Sequence, residues 1–77
     1  MSIENQVKEI LSMLLEEQVN DETSMLNCEK WDSMKHIEII TTLEEELDVS
    51  FEVQDIPKLV SYKLLIEKIK GIKDDQI

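Results

Sequence analysis

A single glycine and a single proline occur in this chain of 77 residues. A β-sheet with tight hairpins needs more residues of these two types, because they supply the backbone conformations that turns require. The apolar residues instead recur at helical spacing. We therefore expect an all-α fold, a small four-helix bundle with three main helices and one short helix.

The chain length favours a single domain, which we place at residues 1–77 with a frayed tail at 72–77. Cys28 is the only cysteine, so no disulfide can reinforce so small a core. We expect a small buried side chain there rather than a reactive nucleophile, and the unpaired thiol favours a cytoplasmic location. Charged residues interrupt every apolar run near the N-terminus, so we expect no signal peptide and no membrane insertion.

Capping residues predict the boundaries of the first two helices. Ser2 can cap a first helix that fades near Glu17, and Asp32 can cap a second helix that runs from Ser33 to Leu47. The polar connection between them is long for so small a domain, so it either packs on the core or carries function. Its expected apolar anchors are Met25, Leu26 and Cys28.

The second half of the chain reads as an extended link, a short turn and a last helix. Val49 and Phe51 alternate with polar residues, which predicts that both apolar side chains turn inward. Pro57 permits only a short turn of helix, since proline fits a first turn and disrupts a helix interior. The last helix is expected to begin after Ser61 and to stop at Gly71.

The whole chain has a net charge of −10, and its acidic residues are concentrated in the middle. Residues 1–30 hold seven acids and two lysines (−5), residues 31–57 eight acids and one lysine (−7), and residues 58–77 three acids and five lysines (+2). The acidic segment, residues 31–57, should repel nucleic acid and anionic membranes and attract proteins with basic patches. Plain solubility is the alternative explanation of the same charge.

The second helix presents two stripes of different chemistry. Its expected core face consists of Ile37, Ile40, Leu43 and Leu47. A second stripe combines an apolar residue with acids: Met34, Glu38, Thr41 and Glu45. An apolar anchor beside carboxylates suits a partner groove lined with hydrophobic and basic groups. A solvated helix face is the alternative.

Ser33 lies in the first turn of this helix, where the N–H groups and the helix dipole favour a phosphate group. Asp32 can cap the helix and also orient an attacking hydroxyl or a metal ion held by a modifying enzyme. Trp31 precedes the cap and can pack on the first turn. We reject a hydrolase triad of Ser33, His36 and Asp32, because the three lie within one helical turn without a sheltered cleft. We expect His36 to be a partly exposed helix residue, and we expect no metal site.

Three runs of residues in and before the second helix carry a family resemblance: Asp32-Ser33-Met34, Ile37-Glu38-Ile39-Ile40 and Leu43-Glu44-Glu45-Glu46-Leu47. They resemble the acyl carrier proteins, whose attachment motif Asp-Ser-Leu opens a helix with a Glu-rich end. The resemblance extends over nearly the whole chain, since Ile3 to Leu14 is similar to the family's first helix. Residues Ile56 to Ile69 are similar to its short third and closing fourth helices.

The resemblance implies a bundle of acyl-carrier type with no catalysis of its own. Ser33, with Asp32 beside it, would receive 4′-phosphopantetheine from coenzyme A through a phosphopantetheinyl transferase, and the thiol of this arm would carry acyl groups as thioesters. A sheltered acyl chain would be lined by residues such as Ile40, Ile56 and Leu59. The other expected partners are acyl-loading and acyl-processing enzymes with basic patches. The carrier itself would act as a monomer. Its partner-binding residues would be Met34, Glu38, Thr41, Glu44 and Glu45.

Trp31 departs from the housekeeping fatty-acid carriers, which usually have glycine two residues before the serine. A Trp-Asp-Ser start is more similar to stand-alone carriers of specialised pathways, such as polyketide, peptidyl or D-alanyl carriers. Fatty-acid, polyketide and related pathways therefore stay open. The alternative function is an unmodified acidic helical interaction module that binds a basic protein through Met34, Glu38 and Glu45.

Overall fold

A computed structural model describes residues 2–75 of the chain. Its elements, in chain order, are α1 (Ile3–Leu15), α2 (Ser33–Leu47), a 3-10 helix (Ile56–Lys58) and α3 (Tyr62–Asp75). Within these residues the β-structure consists of one isolated antiparallel bridge between Ser24 and Ser61. Three main helices and one short one confirm the expected all-α fold.

Side-chain caps begin the three α-helices at the predicted places. The oxygens of Ser2, Asp32 and Ser61 each accept the backbone N–H three residues further on, at 3.2, 2.8 and 3.2 Å. These bonds satisfy N–H groups that have no partner inside the helix. At the other ends, Glu16 and Asp48 follow α1 and α2 in left-handed conformations, each with φ of 55°. The predicted bounds of α2 are confirmed.

Gly71 does not end α3, because the helix continues to Asp75. The predicted stop is therefore wrong. Glycine ends a helix when it takes up a positive φ, and Gly71 does not have one. Residues 72–75 of the expected frayed tail belong to this helix, and Gln76 and Ile77 lie outside the described residues.

The core lies where α1 packs against both α2 and α3. The connections add to it, because Val49 and Phe51 are buried as predicted and Cys28 is 5% exposed. Leu26 was expected to anchor the long loop, but it is 96% exposed, and Val19 is buried instead. The buried apolar side chains are Val7, Leu11, Leu15, Val19, Cys28, Trp31, Ile39, Ile40, Leu43, Leu47, Val49, Phe51, Leu59, Tyr62, Leu65, Ile66 and Ile69.

Backbone hydrogen bonds attach the loop between α1 and α2 to the start of α3. The Met25 N–H donates to the Val60 carbonyl at 2.9 Å, and the Tyr62 N–H donates to the Thr23 carbonyl at 3.0 Å. This loop therefore packs on the core, which was one of the two predicted outcomes for its length.

The buried face of α2 differs from the predicted one. Ile40, Leu43 and Leu47 are buried as expected, whereas Ile37 is 58% exposed and Ile39 is fully buried. His36, expected to be partly exposed, is 5% exposed and joins the same face. Positions 36, 39, 40, 43 and 47 form a regular helical stripe, and the imidazole can occupy it because both of its nitrogens have partners.

Across residues 2–75, no helix combines the length and the apolar character that crossing a bilayer requires. The cytoplasmic location stays a prediction.

Candidate functional site

Ser33 is the first residue of α2, and its side chain is exposed. The preceding carboxylate is fixed in place, because Asp32 Oδ1 accepts the Lys35 N–H at 2.8 Å. The Asp32 carbonyl accepts the His36 N–H at 2.8 Å, which begins the regular helix. The Ser33 hydroxyl therefore lies at the positive end of the helix dipole and is accessible to an incoming group.

An open groove of about 340 Å³ borders Ser33. Its lining combines the loop after α1, the start of α2 and the 3-10 helix, and it is mostly apolar. Of the residues expected to line an acyl site, Ile56 lies in this groove, whereas Ile40 and Leu59 are buried in the core. The lining residues are Met25, Ser33, His36, Ile37, Ile56, Pro57 and Val60.

The orientation of α2 places Ile37 at this groove. Ile37 belongs to the apolar lining beside Ser33 rather than to the core, so its exposure places an apolar surface next to the serine. Periodicity alone does not separate a groove-lining isoleucine from a core isoleucine, because both continue the apolar arc of the helix.

Trp31 and His36 form a buried pair beneath this groove. The Trp31 Nε1–H donates to His36 Nδ1 at 3.0 Å, and the two rings stack with centroids 6.0 Å apart. His36 Nε2 lies 2.7 Å from the Ile56 carbonyl oxygen. An indole N–H only donates and a carbonyl only accepts, so in the tautomer that satisfies both contacts Nδ1 accepts from Trp31 and Nε2–H donates to Ile56.

The sequence positions of Trp31 and His36 indicate that the two residues pack together. Trp31 occupies the position before the cap and His36 the fourth helical position, which are the two positions that pack together in a hydrophobic staple. The predicted packing of Trp31 on the first turn is confirmed, since the ring is 2% exposed and contacts His36. The same rule, applied to His36, would have predicted its burial.

The second stripe of α2 faces solvent. Met34 is 84% exposed, and Glu38, Thr41 and Glu45 are exposed as well. Lys35 Nζ lies 3.2 Å from Glu38 Oε2, in an exposed pair that contributes little to stability. The stripe therefore presents one large apolar side chain beside carboxylates, and its binding of partners stays a prediction.

Glu44 has a structural contact that the other acids of α2 do not share in the described structure. Its Oε2 accepts the Phe51 N–H at 2.9 Å, and its carbonyl accepts the Val49 N–H at 3.2 Å. These two bonds fold the chain back after α2 and place both apolar residues in the core. Partner binding by Glu44 also stays a prediction.

Cys28 lies away from Ser33, beside a small polar cavity. Burial, together with the hydrogen bond from its thiol to Glu17 Oε2 at 2.8 Å, raises the pKa of Cys28. The thiol is therefore a poor nucleophile at neutral pH. Among the residues that the structure describes, no group of three or more His, Cys, Asp or Glu side chains could hold a metal ion.

No protein-family model matches the chain. Its fold is similar to the solution NMR structure of the holo acyl carrier protein from Geobacter metallireducens, with a TM-score of 0.84. The match covers 99% of this chain and 91% of that chain at 20% sequence identity. This chain thus has the acyl carrier protein fold, which confirms the fold class expected from the sequence.

Proposed function

We propose that this chain is an acyl carrier protein, a single domain over residues 1–77 that bears 4′-phosphopantetheine on Ser33. One observation carries the proposal: in the acyl carrier fold, an exposed serine hydroxyl begins α2 directly after a capping aspartate and borders an apolar groove. The acyl group and the pathway, whether fatty-acid, polyketide or a related specialised one, are left open.

The residues around Ser33 fit such a group. The first turn of α2 favours a phosphate, and the hydroxyl that would be esterified is exposed. The Asp32 carboxylate is held in its capping bond to the Lys35 N–H. When bound, the arm supplies a terminal thiol that carries acyl groups as thioesters. The neighbouring Met25 and Ile37 side chains offer apolar contacts to what the arm carries.

The exposed stripe of α2 is the surface that we propose for partner enzymes. Met34 offers an apolar anchor, and Glu38, Thr41 and Glu45 continue the same stripe along the helix with acceptor oxygens. Such a surface suits a phosphopantetheinyl transferase, and acyl-loading and acyl-processing enzymes, that present basic patches. Glu44 can add charge from its half-buried position. In this proposal the chain acts as a monomer and catalyses no reaction itself.

Intact-mass measurement tests the attachment. The purified chain is incubated with coenzyme A and a phosphopantetheinyl transferase of broad specificity, and the wild type is expected to gain the mass of one phosphopantetheine. Ser33→Ala is expected to gain nothing, whereas Ser50→Ala, at another exposed serine, is expected to gain the same mass as the wild type. An unmodified wild type contradicts the carrier function, and a modified Ser33→Ala contradicts the site.

A second candidate function is an unmodified interaction module, which the exposure of Met34 beside two acids favours. It predicts that a basic protein partner binds with the same affinity to the wild type and to Ser33→Ala. Charge reversal by Glu38→Lys and Glu45→Lys would weaken that binding. Modification of Ser33 in the mass experiment would disfavour this candidate.

A further inference from the structure

Leu26 is the most exposed large apolar side chain among the residues that the structure describes, at 96%. It lies in a turn of the loop between α1 and α2. Core packing does not account for a leucine at this position, because its side chain is in water. A single exposed leucine is ordinary in a folded protein, so its meaning depends on how the turn is ordered and on what lies beside it.

Hydrogen bonds order the turn that carries Leu26. The Ser24 N–H donates to Asn27 Oδ1 at 2.9 Å, and the Asn27 N–H donates to the Ser24 carbonyl at 3.2 Å. The Leu26 N–H donates to Ser24 Oγ at 3.2 Å. Asn27 Nδ2 donates to the Glu22 carbonyl at 2.7 Å. Backbone bonds also attach this loop to the start of α3, so the turn presents its leucine in an ordered place and binding costs little ordering of the loop.

The turn lies at the edge of the groove beside Ser33. Met25, the residue before Leu26, lines this groove together with Ser33. On α2, Met34 follows Ser33 directly and is 84% exposed. Ser33 therefore has one large exposed apolar side chain next to it on its own helix, and the loop that borders its groove presents a second one.

The charge around the turn is negative. Residues 20–32 hold four acids and one lysine. Among them, Glu22, Glu29 and Asp32 are exposed. A partner that covers Leu26 fits this surface if it offers an apolar pocket with basic residues at its rim.

The position of Ser33 at the surface decides which partner must come this close. An enzyme that forms a bond to the Ser33 oxygen has to bring the reacting group within about 3–3.5 Å of it. Such an enzyme covers the surface around the serine, which includes the open groove that Met25 lines. An enzyme that acts on the thiol at the end of an attached arm can bind further away. The transferase that modifies Ser33 is therefore the partner that has to contact this surface.

We propose that Leu26 is a docking contact, on the loop side of Ser33, for the phosphopantetheinyl transferase that modifies this serine. The leucine enters an apolar pocket of the enzyme while Met34 makes the contact from α2. Two apolar side chains on separate elements then orient the serine toward the active site. The inference rests on the proposed carrier function and adds to it a contact outside α2. Leu26 touches no reacting atom, so it acts in binding and not in the chemical step.

Transferase kinetics with coenzyme A and the full chain as substrates test this contact. Leu26→Ala removes most of the side chain, so KM for the chain should rise about tenfold while kcat stays at the wild-type value. Leu26→Met keeps a large apolar side chain and should keep KM close to that of the wild type. Met13→Ala is the matched control and should leave KM unchanged, because Met13 is 66% exposed but lies on α1, which contributes no residue to the groove.

The outcomes of this assay distinguish the contact from the carrier function. A wild type that is not modified refutes the carrier function and this contact with it. A wild type that is modified, with an unchanged KM in Leu26→Ala, refutes the contact alone. An equal rise of KM in Met13→Ala, or a fall of kcat alone in Leu26→Ala, would also overturn the docking role of Leu26.

Two further measurements separate docking from an effect on the fold. Leu26→Ala should melt at the wild-type Tm, because so exposed a side chain adds almost nothing to the core. Ser33→Ala cannot be modified, so its titration with the transferase measures binding without turnover. A double variant that carries both Ser33→Ala and Leu26→Ala should bind about tenfold more weakly than Ser33→Ala. A lowered Tm in Leu26→Ala, or equal affinities in the titration, would overturn the proposal.

Discussion

Replacement of Asp32 separates its role as a helix cap from its charge. The carboxylate accepts the Lys35 N–H at 2.8 Å at the first turn of α2. Asp32→Ala removes the cap and the charge at the positive end of the helix, which together cost about 1–2 kcal/mol. Asp32→Asn keeps an acceptor and loses only the charge term, about 0.3–1 kcal/mol. For a domain of this size, each kcal/mol lowers Tm by about 4–8 °C.

Thermal unfolding followed by circular dichroism measures these differences. The expected order of Tm is wild type, then Asp32→Asn, then Asp32→Ala. An Asp32→Ala variant that melts with the wild type would refute the capping argument, because the bond it removes would then contribute nothing to stability.

The same variants test the second role of Asp32 in the proposed modification of Ser33. Asp32→Asn stays capped and folded at assay temperature, so a loss of loading in this variant is due to the carboxylate itself. We expect its rate of modification by the transferase to fall about tenfold or more, the effect of losing one charge-assisted contact. Loading at the wild-type rate would show that Asp32 serves only as the cap.

Three further changes have expected outcomes. Added salt or Mg²⁺ is expected to raise Tm, because added ions screen the repulsion within the acidic segment. The Debye length falls from about 30 Å at 0.01 M to about 10 Å at 0.1 M. A flat or falling Tm would contradict this. Gly71→Ala is expected to stabilise the chain by about 0.5–1 kcal/mol in thermal melts. No described atom outside the helix's own backbone lies within 4 Å of an added Cβ, and alanine favours a helix interior more than glycine does. A lower Tm would argue against a helical Gly71. The ion pair with Lys68 lowers the pKa of Asp55. The pair is therefore expected to stabilise the fold at pH values above 3.8, the ordinary pKa of the carboxyl, and to lose this contribution as the pH falls through the lowered pKa. Denaturant unfolding with the same pH dependence in Asp55→Asn as in the wild type would refute it.

The bounds of α2 could be predicted because local chemistry determines them. Asp32 supplies the cap, and the apolar residues continue at helical spacing to Leu47. Which apolar residues enter the core could not be read from the same spacing. At about 100° per residue, Ile37 and Ile39 lie about 160° apart with Ile40 between them, and packing against α1 decides which side of this arc is buried. Periodicity therefore predicts that α2 has a buried face, and tertiary packing determines which residues that face contains.

The site shows the same division between local and tertiary information. Exposure of Ser33 and of Met34 follows from their places at the helix start and on its outer face. The groove beside Ser33 involves Met25 and Val60, which are far apart in sequence and joined by a backbone bond of 2.9 Å. No pattern within α2 contains that contact, and of the lining that the resemblance implied, Ile56 lies in the groove while Ile40 and Leu59 are buried in the core.

The Trp31–His36 pair also shows why a polar residue can be useful in so small a core. Among the side chains that the structure describes, each buried nitrogen or oxygen has a hydrogen-bond partner, so burial of the imidazole leaves no unpaired polar group. An isoleucine at this position would bury comparable apolar area but would accept several placements of the 3-10 helix, since apolar contact has no direction. A hydrogen bond to the Ile56 carbonyl favours one placement. In an element whose remaining two residues are exposed, that directional contact substitutes for the packing that determines the position of the larger helices.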